Sequence, residues 1–152
     1  MTDTMSMERR SALMSRVRNR DTRIELVVRK ALHAMGFRYR LGGAGLPGRP
    51  DIVLPRYRAV VQIHGCFWHG HDCHLFRLPK TRSEFWASKI DANRKRDART
   101  EALLADAGWR VAVIWECALR GNDVDQSTVA RRVAAWLRGG KDRLNISTRD
   151  KS

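Results

Sequence analysis

The sequence feature that most restricts the fold is a pair of apolar runs joined by a short, turn-like segment. The runs are Ile52–Leu54 and Ala59–His64, and the segment between them, residues 55–58, begins with a proline. Two short apolar runs with a tight connection are typical of a β-hairpin. We therefore predict two antiparallel strands in which Leu54 pairs with Ala59.

That register brings three polar side chains to one end of the hairpin. Asp51 falls opposite Gln62, and the two-residue period of a strand places His64 on the same face, one step further along. Val53 and Val60 share this face. The opposite face would carry four apolar side chains, Ile52, Leu54, Val61 and Ile63. A carboxylate, an amide and an imidazole thus converge at a strand end, where functional sites commonly lie.

A cluster of cysteines and histidines follows the second run. Residues 66–74 hold two of the chain's three cysteines and three of its five histidines. Such a density is typical of a zinc site with four sulfur and nitrogen ligands. Cys66, Cys73 and one histidine would supply three ligands, and Cys117, at the end of a later strand, would supply the fourth.

Two other interpretations of the cysteines remain. Free cysteines are often buried as small apolar side chains, with histidines scattered on a neighbouring loop. A disulfide is disfavoured, because three cysteines leave one unpaired and no apolar signal-peptide core precedes them. We therefore expect reduced thiols and a cytoplasmic location.

The charge of the chain points to a polyanionic partner. Lysine and arginine number 30 against 16 aspartates and glutamates, a formal net charge of +14, far more than solubility requires. No run is long and apolar enough to span a membrane. Trp68 and Trp86 lie in polar, basic segments, where indole rings either stack on nucleic-acid bases or pack in the core; the sequence leaves both interpretations open.

In chain order we predict a basic arm, one domain and a polar tail. Residues 1–20 contain five arginines and no strong apolar period, which predicts a mobile arm that orders on nucleic acid. Residues 21–140 are expected to form a single domain with one core. Residues 141–152 are expected to be a polar tail.

Helical signals begin at Thr22, where Thr22 and Glu25 match a capping box and apolar residues then recur at helical spacing. Glu25 is either the capping partner or a carboxylate turned towards Asp51. A long helix is predicted from Ser83 to about Ala107. Residues 77–99 contain eight basic residues against three acidic ones, so one face of this helix is a candidate for contact with phosphates.

An edge strand over residues 37–41, a buried strand over residues 109–115 and a last helix over residues 125–137 complete the pattern. The order predicts the α/β class, with a mixed sheet flanked by helices. With Pro50-Asp51 on the hairpin, it resembles the three-layer core of the restriction-endonuclease-like nucleases. Those proteins carry an acidic residue and a lysine at positions that read Gln62 and His64 here.

A more specific resemblance covers most of the chain, from about Met14 to Leu137. It rests on Pro50-Asp51, on the run His64-Gly65-Cys66-Phe67-Trp68-His69, and on four later residues, His71, Cys73, Trp86 and Cys117. The combination looks like the very-short-patch repair (Vsr) DNA mismatch endonucleases. The resemblance implies an enzyme that recognises the T:G mismatch left by deamination of 5-methylcytosine. It would nick the strand 5′ of the thymine by magnesium-dependent hydrolysis, and so start repair.

The resemblance also implies a role for each site residue. Asp51 would bind catalytic Mg²⁺, with the backbone carbonyl of Ile63 as a further ligand. His69 would act near the scissile phosphate as a general base or electrostatic stabiliser, while His64 and Glu25 would hold metal-bound waters. Four side chains would hold a structural Zn²⁺, namely Cys66, His71, Cys73 and Cys117. Oxygen ligands suit magnesium whereas thiolates and imidazole suit zinc, so the two sites would not exchange ions.

The implied partner is double-stranded DNA with a T:G mismatch, together with other mismatch-repair proteins. Phe67, Trp68 and Trp86 would intercalate beside the mismatch, because a mispaired step costs less to unstack than a paired one. Met14 would wedge from the other groove, and Lys89 and Asn93 are further candidates for DNA contact. A monomer is expected, since an asymmetric mismatch offers no two-fold axis.

The chain departs from the resemblance at three positions. Ile63 replaces a small hydroxylated residue, which leaves a backbone ligand unaffected, and Gly70 and Asp72 interrupt a run richer in histidine. Gly70 is expected to loosen the loop that holds His69. Two other functions remain: a restriction-like or nicking endonuclease with another site preference, and a non-catalytic, zinc-stapled DNA-binding module.

Overall fold

The computed structural model of the chain describes residues 22–43, 45–73, 76–120 and 126–148. Those residues form three helices and five strands, which are α1 Thr22–Ala34, β1 Arg40–Leu41, β2 Ile52–Leu54, β3 Ala59–His64, α2 Ser83–Asp106, β4 Arg110–Trp115, α3 Gln126–Arg138 and β5 Arg143–Ile146. The predicted basic arm, with Met14, lies outside the described residues. None of the described helices is long and apolar enough to cross a membrane.

The five strands form one mixed sheet in the order β1-β2-β3-β4-β5. β1, β2 and β3 are antiparallel neighbours, whereas β3, β4 and β5 run parallel. Leu54 pairs with Ala59 and Ile52 with Val61, so the predicted hairpin register is confirmed. The α/β class is confirmed as well.

Helices cover both faces of the sheet. One face packs Ile52, Leu54 and Val61 against apolar residues of α1 and α3, such as Val28 and Val133. The other face joins four valines to Leu104 of α2; they are Val53, Val60, Val111 and Val113. Strand alternation therefore separates the faces as predicted, and α2 lies over the face that carries the polar end of the hairpin.

The prediction of a polar tail at the C-terminus is wrong for part of that segment. Residues 143–146, expected to belong to a polar tail, form β5 and pair with β4 from Val111 to Ile114. Ile146 is buried in the core below the sheet. The segment Arg143–Ile146 has little strand signal of its own, with two polar residues in four; the parallel ladder with β4 supplies the backbone hydrogen bonds that make it a strand.

Candidate active site and metal centre

A cavity of about 590 Å³ opens at the end of β3. The hairpin contributes Asp51, Gln62 and His64 to its lining, so the predicted convergence of these three residues is confirmed. The loop after β3 contributes Trp68 and His69, and α2 contributes Asn93, Arg96, Asp97 and Thr100. The cavity therefore lies between the hairpin end, this loop and one face of α2.

The Asp51 carboxylate lies against the backbone of β3. Its Oδ2 accepts the N–H of Ile63 at 2.7 Å. The N–H and C=O of a strand residue point to the same neighbouring strand, so the Ile63 carbonyl also faces β2. Continuing the observed register places Pro50 opposite Ile63, and proline has no N–H to donate. A carboxylate and a carbonyl oxygen thus share one edge of the cavity, which is a donor set that Mg²⁺ accepts.

The cavity also contains a hydrogen-bonded pair of side chains, His69 and Asp97. The Nδ1 atom of His69 contacts the Oδ2 atom of Asp97 in a close hydrogen bond. A carboxylate at Nδ1 fixes the ring orientation and the tautomer, and it leaves Nε2 to exchange a proton. This geometry suits a general base or a stabiliser of a developing charge.

His64 lies beneath His69. The two imidazole rings stack with centroids 4.0 Å apart and planes within 2°, and His64 is 8 % exposed. Burial, followed by the neighbouring His69, lowers the pKa of His64 from 6.5 to about 3. His64 is therefore a neutral imidazole at neutral pH, with one ring nitrogen that can donate a hydrogen bond and one that can accept a hydrogen bond, and it does not act as a cation.

The four predicted zinc ligands lie together beside this cavity. One ligand atom from each of Cys66, His71, Cys73 and Cys117 lies within 4.8 Å of the others. Nδ1 of His71 is 3.5 Å from Sγ of Cys66 and 3.6 Å from Sγ of Cys117. A tetrahedral zinc with ordinary bond lengths separates sulfur and nitrogen ligands by about 3.6 Å. The spacing therefore fits a tetrahedral ion.

Backbone groups hold the thiols of this Cys/His group. The N–H of Cys117 donates to Sγ of Cys66 at 3.3 Å, and the N–H of Thr148, just after β5, donates to Sγ of Cys117 at 3.5 Å. Burial raises the pKa of the Cys66 thiol. A thiol in this position needs a bound cation to ionise at neutral pH, and N–H donors stabilise a thiolate once it forms.

Aromatic residues form a cluster between the loop and the start of α2. Phe67 contacts Trp68 and Trp86 with centroid distances of 5.1 and 5.6 Å. Trp68 is 7 % exposed, whereas Phe67 and Trp86 are partly exposed and Phe85 is 44 % exposed. Trp68 is therefore packed in the interior, whereas Trp86 is half-buried, and stacking on bases stays a prediction.

Three other residues predicted to belong to the site, Asn93, Lys89 and Glu25, take other positions in the structure. Asn93 is buried and donates from Nδ2 to the carbonyl of Trp68 at 2.8 Å, so it holds the loop that carries His69. Lys89 is half-buried on α2. Glu25 is 2 % exposed and pairs with Arg29 at 3.4 Å; it lies outside the lining of the cavity.

Sequence reasoning missed Asp97, which was counted only as one acidic residue on a basic helix. A helical pattern could have identified it. Five positions at helical spacing face the sheet and the cavity, namely Ile90, Asn93, Asp97, Thr100 and Leu104. Three of these five inward-facing positions are polar. This is unusual for a helix with only a structural role, and it indicates a functional face.

Asp51 and a His–Asp pair share one cavity at the edge of a mixed α/β sheet, and the chain is strongly basic; this combination suits a nuclease. Comparison with known proteins narrows this class. A family model described as DNA mismatch endonuclease Vsr matches residues 2–75. Because a relative of the same name is 42 % identical over 97 % of this chain, the chain belongs to the Vsr endonuclease family, and the family implies a restriction-endonuclease-like fold.

Three relatives cover most of the chain. The type II nicking enzyme V.XorIIP of Xanthomonas oryzae pv. oryzae is 56 % identical over 119 residues, 78 % of this chain and 88 % of that protein. The DNA mismatch endonuclease Vsr of Escherichia coli K12 is 42 % identical over 149 residues, 97 % of this chain and 96 % of that protein. The type II nicking enzyme V.NmeAIP of Neisseria meningitidis is 41 % identical over 133 residues, 88 % of this chain and 95 % of that protein.

Proposed function

We propose that this endonuclease nicks one strand of duplex DNA 5′ of the thymine of a T:G mismatch. The mismatch is the product of 5-methylcytosine deamination, and the nick starts very-short-patch repair. The observation that carries the proposal is the meeting of Asp51 and the His69–Asp97 pair in one cavity. The presence of these groups disfavours the alternative of a non-catalytic DNA-binding module, which would have no need of an oriented imidazole.

Asp51 and the Ile63 carbonyl would hold Mg²⁺ at the edge of the cavity. A bound Mg²⁺ neutralises charge on the scissile phosphate and lowers the pKa of water. His69, oriented by Asp97, takes a proton from the attacking water or stabilises the phosphate through Nε2. His64, neutral and stacked below it, supports this ring and orients water. Glu25 is proposed to hold a further water from the α1 side.

A structural Zn²⁺ is proposed for the Cys/His group. The group would hold zinc with three cysteines and His71, which leaves no ligand position for catalysis. Its ligands come from the loop after β3 and from the turn after β4. The ion would therefore anchor the loop that carries His69 to the sheet.

DNA is proposed to lie across the cavity mouth, with the aromatic cluster beside the mismatch. Phe67 and Trp86 are half-buried in the cluster and could enter the base stack with little rearrangement. Trp68 would support them from below. Lys89, Asn93 and Met14 remain predicted DNA contacts, and the monomeric state and partnership with other repair proteins remain predictions too.

The test is strand-specific cleavage of a labelled duplex with one T:G mismatch, beside its fully paired twin, with and without Mg²⁺. We expect a single magnesium-dependent nick 5′ of the thymine in the mismatched duplex alone. Asp51→Ala should abolish the nick and retain binding. Binding without cleavage by the unaltered protein would contradict catalysis. Equal cleavage of both duplexes would contradict mismatch recognition.

A second candidate differs in where the enzyme cuts. The relatives named as type II nicking enzymes favour a nicking endonuclease with another site preference. A pool of T:G duplexes and fully paired duplexes with randomised flanking bases, sequenced after cleavage, separates the two. Cleavage confined to the T:G duplexes supports the first candidate, and cleavage of one flanking sequence with or without the mismatch supports the second.

A further inference from the structure

Trp115 lies between the Cys/His group and the two histidines of the cavity. It ends β4 and pairs in register with His64 at the end of β3. Its indole stacks on the ring of His71, with centroids 4.1 Å apart and planes within 10°. It meets His64 edge-on at 5.1 Å and 77°, and His69 at 6.1 Å and 76°. One side chain thus contacts a proposed zinc ligand and both imidazoles.

The orientation of this indole is fixed from the other side. Its Nε1–H donates to Oδ1 of Asn145 on β5 at 2.9 Å. A tryptophan side chain has two rotatable bonds, so a stacked face and an oriented N–H together define its position. β5, the strand that the sequence did not predict, therefore provides the group that sets the angle of the Trp115 ring.

The His64 ring depends on packing for its orientation. Its Nδ1 is buried and accepts or donates no hydrogen bond within the described residues. The groups that restrain the ring are the parallel face of His69 and the edge contact with Trp115. If Trp115 were absent, nothing in these contacts would prevent the stacked pair from tilting, although Asp97 would still hold Nδ1 of His69.

We propose that Trp115 is a positioning residue, which holds the His64–His69 stack in the orientation required for cleavage and links it to the Cys/His group. The proposal rests on the proposed function, because it concerns the rate of the same nicking reaction. A bound zinc would fix His71, His71 would fix the face of Trp115, and Trp115 would fix the histidines. Filling of the zinc site is thereby coupled to the geometry of catalysis.

Three variants test this coupling. Trp115→Leu removes the ring, and Trp115→Phe keeps an aromatic face while losing the hydrogen bond to Asn145. Trp109→Leu is the matched control, because Trp109 is also half-buried beside the same strand and packs against the valine cluster. Steady-state kcat and KM, and zinc content, are measured for each.

We expect Trp115→Leu to lower kcat by roughly 10- to 100-fold, the scale of a misplacement of about 1 Å, while KM changes by less than about 2-fold. Trp115→Phe should recover only part of the loss, because it keeps the aromatic face and loses the hydrogen bond to Asn145. Trp109→Leu should keep the rate of the unaltered protein. Equal effects of Trp115→Leu and Trp109→Leu on kcat would overturn the proposal.

Two further measurements cover the remaining outcomes. If Trp115→Leu loses zinc, its lower kcat has two possible causes, loss of the ion and loss of the ring. Asn145→Ala separates them, because it leaves the indole ring on His71 and removes only the hydrogen bond of the indole N–H. The proposal then requires a lower kcat at full zinc content, and an unchanged kcat overturns it. If the unaltered protein does not nick a T:G duplex, the proposed function fails by itself. The ring signals of His64 and His69 in NMR spectra then test the positioning, which requires them to move in Trp115→Leu and not in Trp109→Leu.

Discussion

The buried state of His64 leads to a prediction about stability and pH. Its pKa is lowered to about 3 by burial, with His69 as the next cause, from 6.5 in the unfolded chain. Between these two values the unfolded chain binds a proton that the folded protein excludes. The free energy of unfolding therefore falls as the pH decreases from about 6.5 towards 3, and this penalty is absent above about pH 7.

The size of the effect follows from the two pKa values. Each pH unit well inside the window costs about 1.4 kcal/mol. The change in the free energy of unfolding between pH 7 and pH 5 is about 2 kcal/mol, because the part of this interval above about pH 6.5 contributes little. His64→Gln removes the titrating group, so this part of the pH dependence should disappear in the variant. The unaltered protein should thus lose about 2 kcal/mol relative to the variant over this range.

Urea unfolding of both proteins at pH 7 and pH 5, in the same zinc-containing buffer, measures the difference. Contributions of His71 and the cysteines cancel, since both proteins contain them. His33→Gln is the control, because it makes the same substitution at an exposed position on α1. A constant stability difference between the unaltered protein and His64→Gln at both pH values would refute the argument, as would an NMR titration of His64 near pH 6.5.

Further predictions concern the site and the loop. Asp97→Asn should lower the nicking rate by roughly 100-fold or more, because it removes the carboxylate that orients His69; Asp91→Asn, on an exposed turn of α2, is the control, and equal rates would exclude a role for Asp97. Gln62→Glu should lower the Mg²⁺ concentration needed for half-maximal binding in calorimetry, since it places a second carboxylate opposite Asp51; an unchanged or weaker affinity, or the same change in Gln126→Glu on α3, would show that position 62 does not face the ion. Cys73→Ser should abolish stoichiometric zinc binding, measured by metal analysis, and lower the melting temperature; retention of one zinc per chain would remove Cys73 from the ligand set. Gly70→Ala should lower the free energy of unfolding by more than the roughly 1–2 kcal/mol that a left-handed backbone costs an alanine, because its Cβ would also lie 2.5 Å from Ile90. Gly36→Ala, also left-handed but with open space around it, should show the backbone cost alone, and equal losses would contradict this view of Gly70.

That Gly70 loosens the loop stays a prediction, and these contacts give the glycine a second role. Gly70 has a φ of +60° and packs against Ile90 and Arg94 of α2, and its carbonyl accepts a hydrogen bond from Arg94. The absence of a side chain thus allows the loop to approach the helix closely. The effect of this contact on the nicking rate stays a prediction.

The parts of the site that the sequence predicted are those in which local pattern and chemistry coincide. Alternation around a tight turn determined the hairpin register, and that register alone brought Asp51, Gln62 and His64 together. Asp97 was missed because it approaches His69 from a helix that begins 14 residues after the loop histidine, so its role depends on how α2 packs. β5 was missed for a related reason, since Arg143–Ile146 becomes a strand only beside β4.

The end of β3 shows why the two groups of ligands depend on one register. Ile63 turns its backbone towards β2 and Asp51, His64 turns its side chain to the cavity, and Cys66 follows two residues later in the Cys/His group. A slip of one residue in the hairpin would move His64 to the opposite face and exchange Ile63 for another backbone position. The apolar pair Ile52 and Val61, which fixes that register from the core below, is therefore required for both groups although neither side chain lines the cavity.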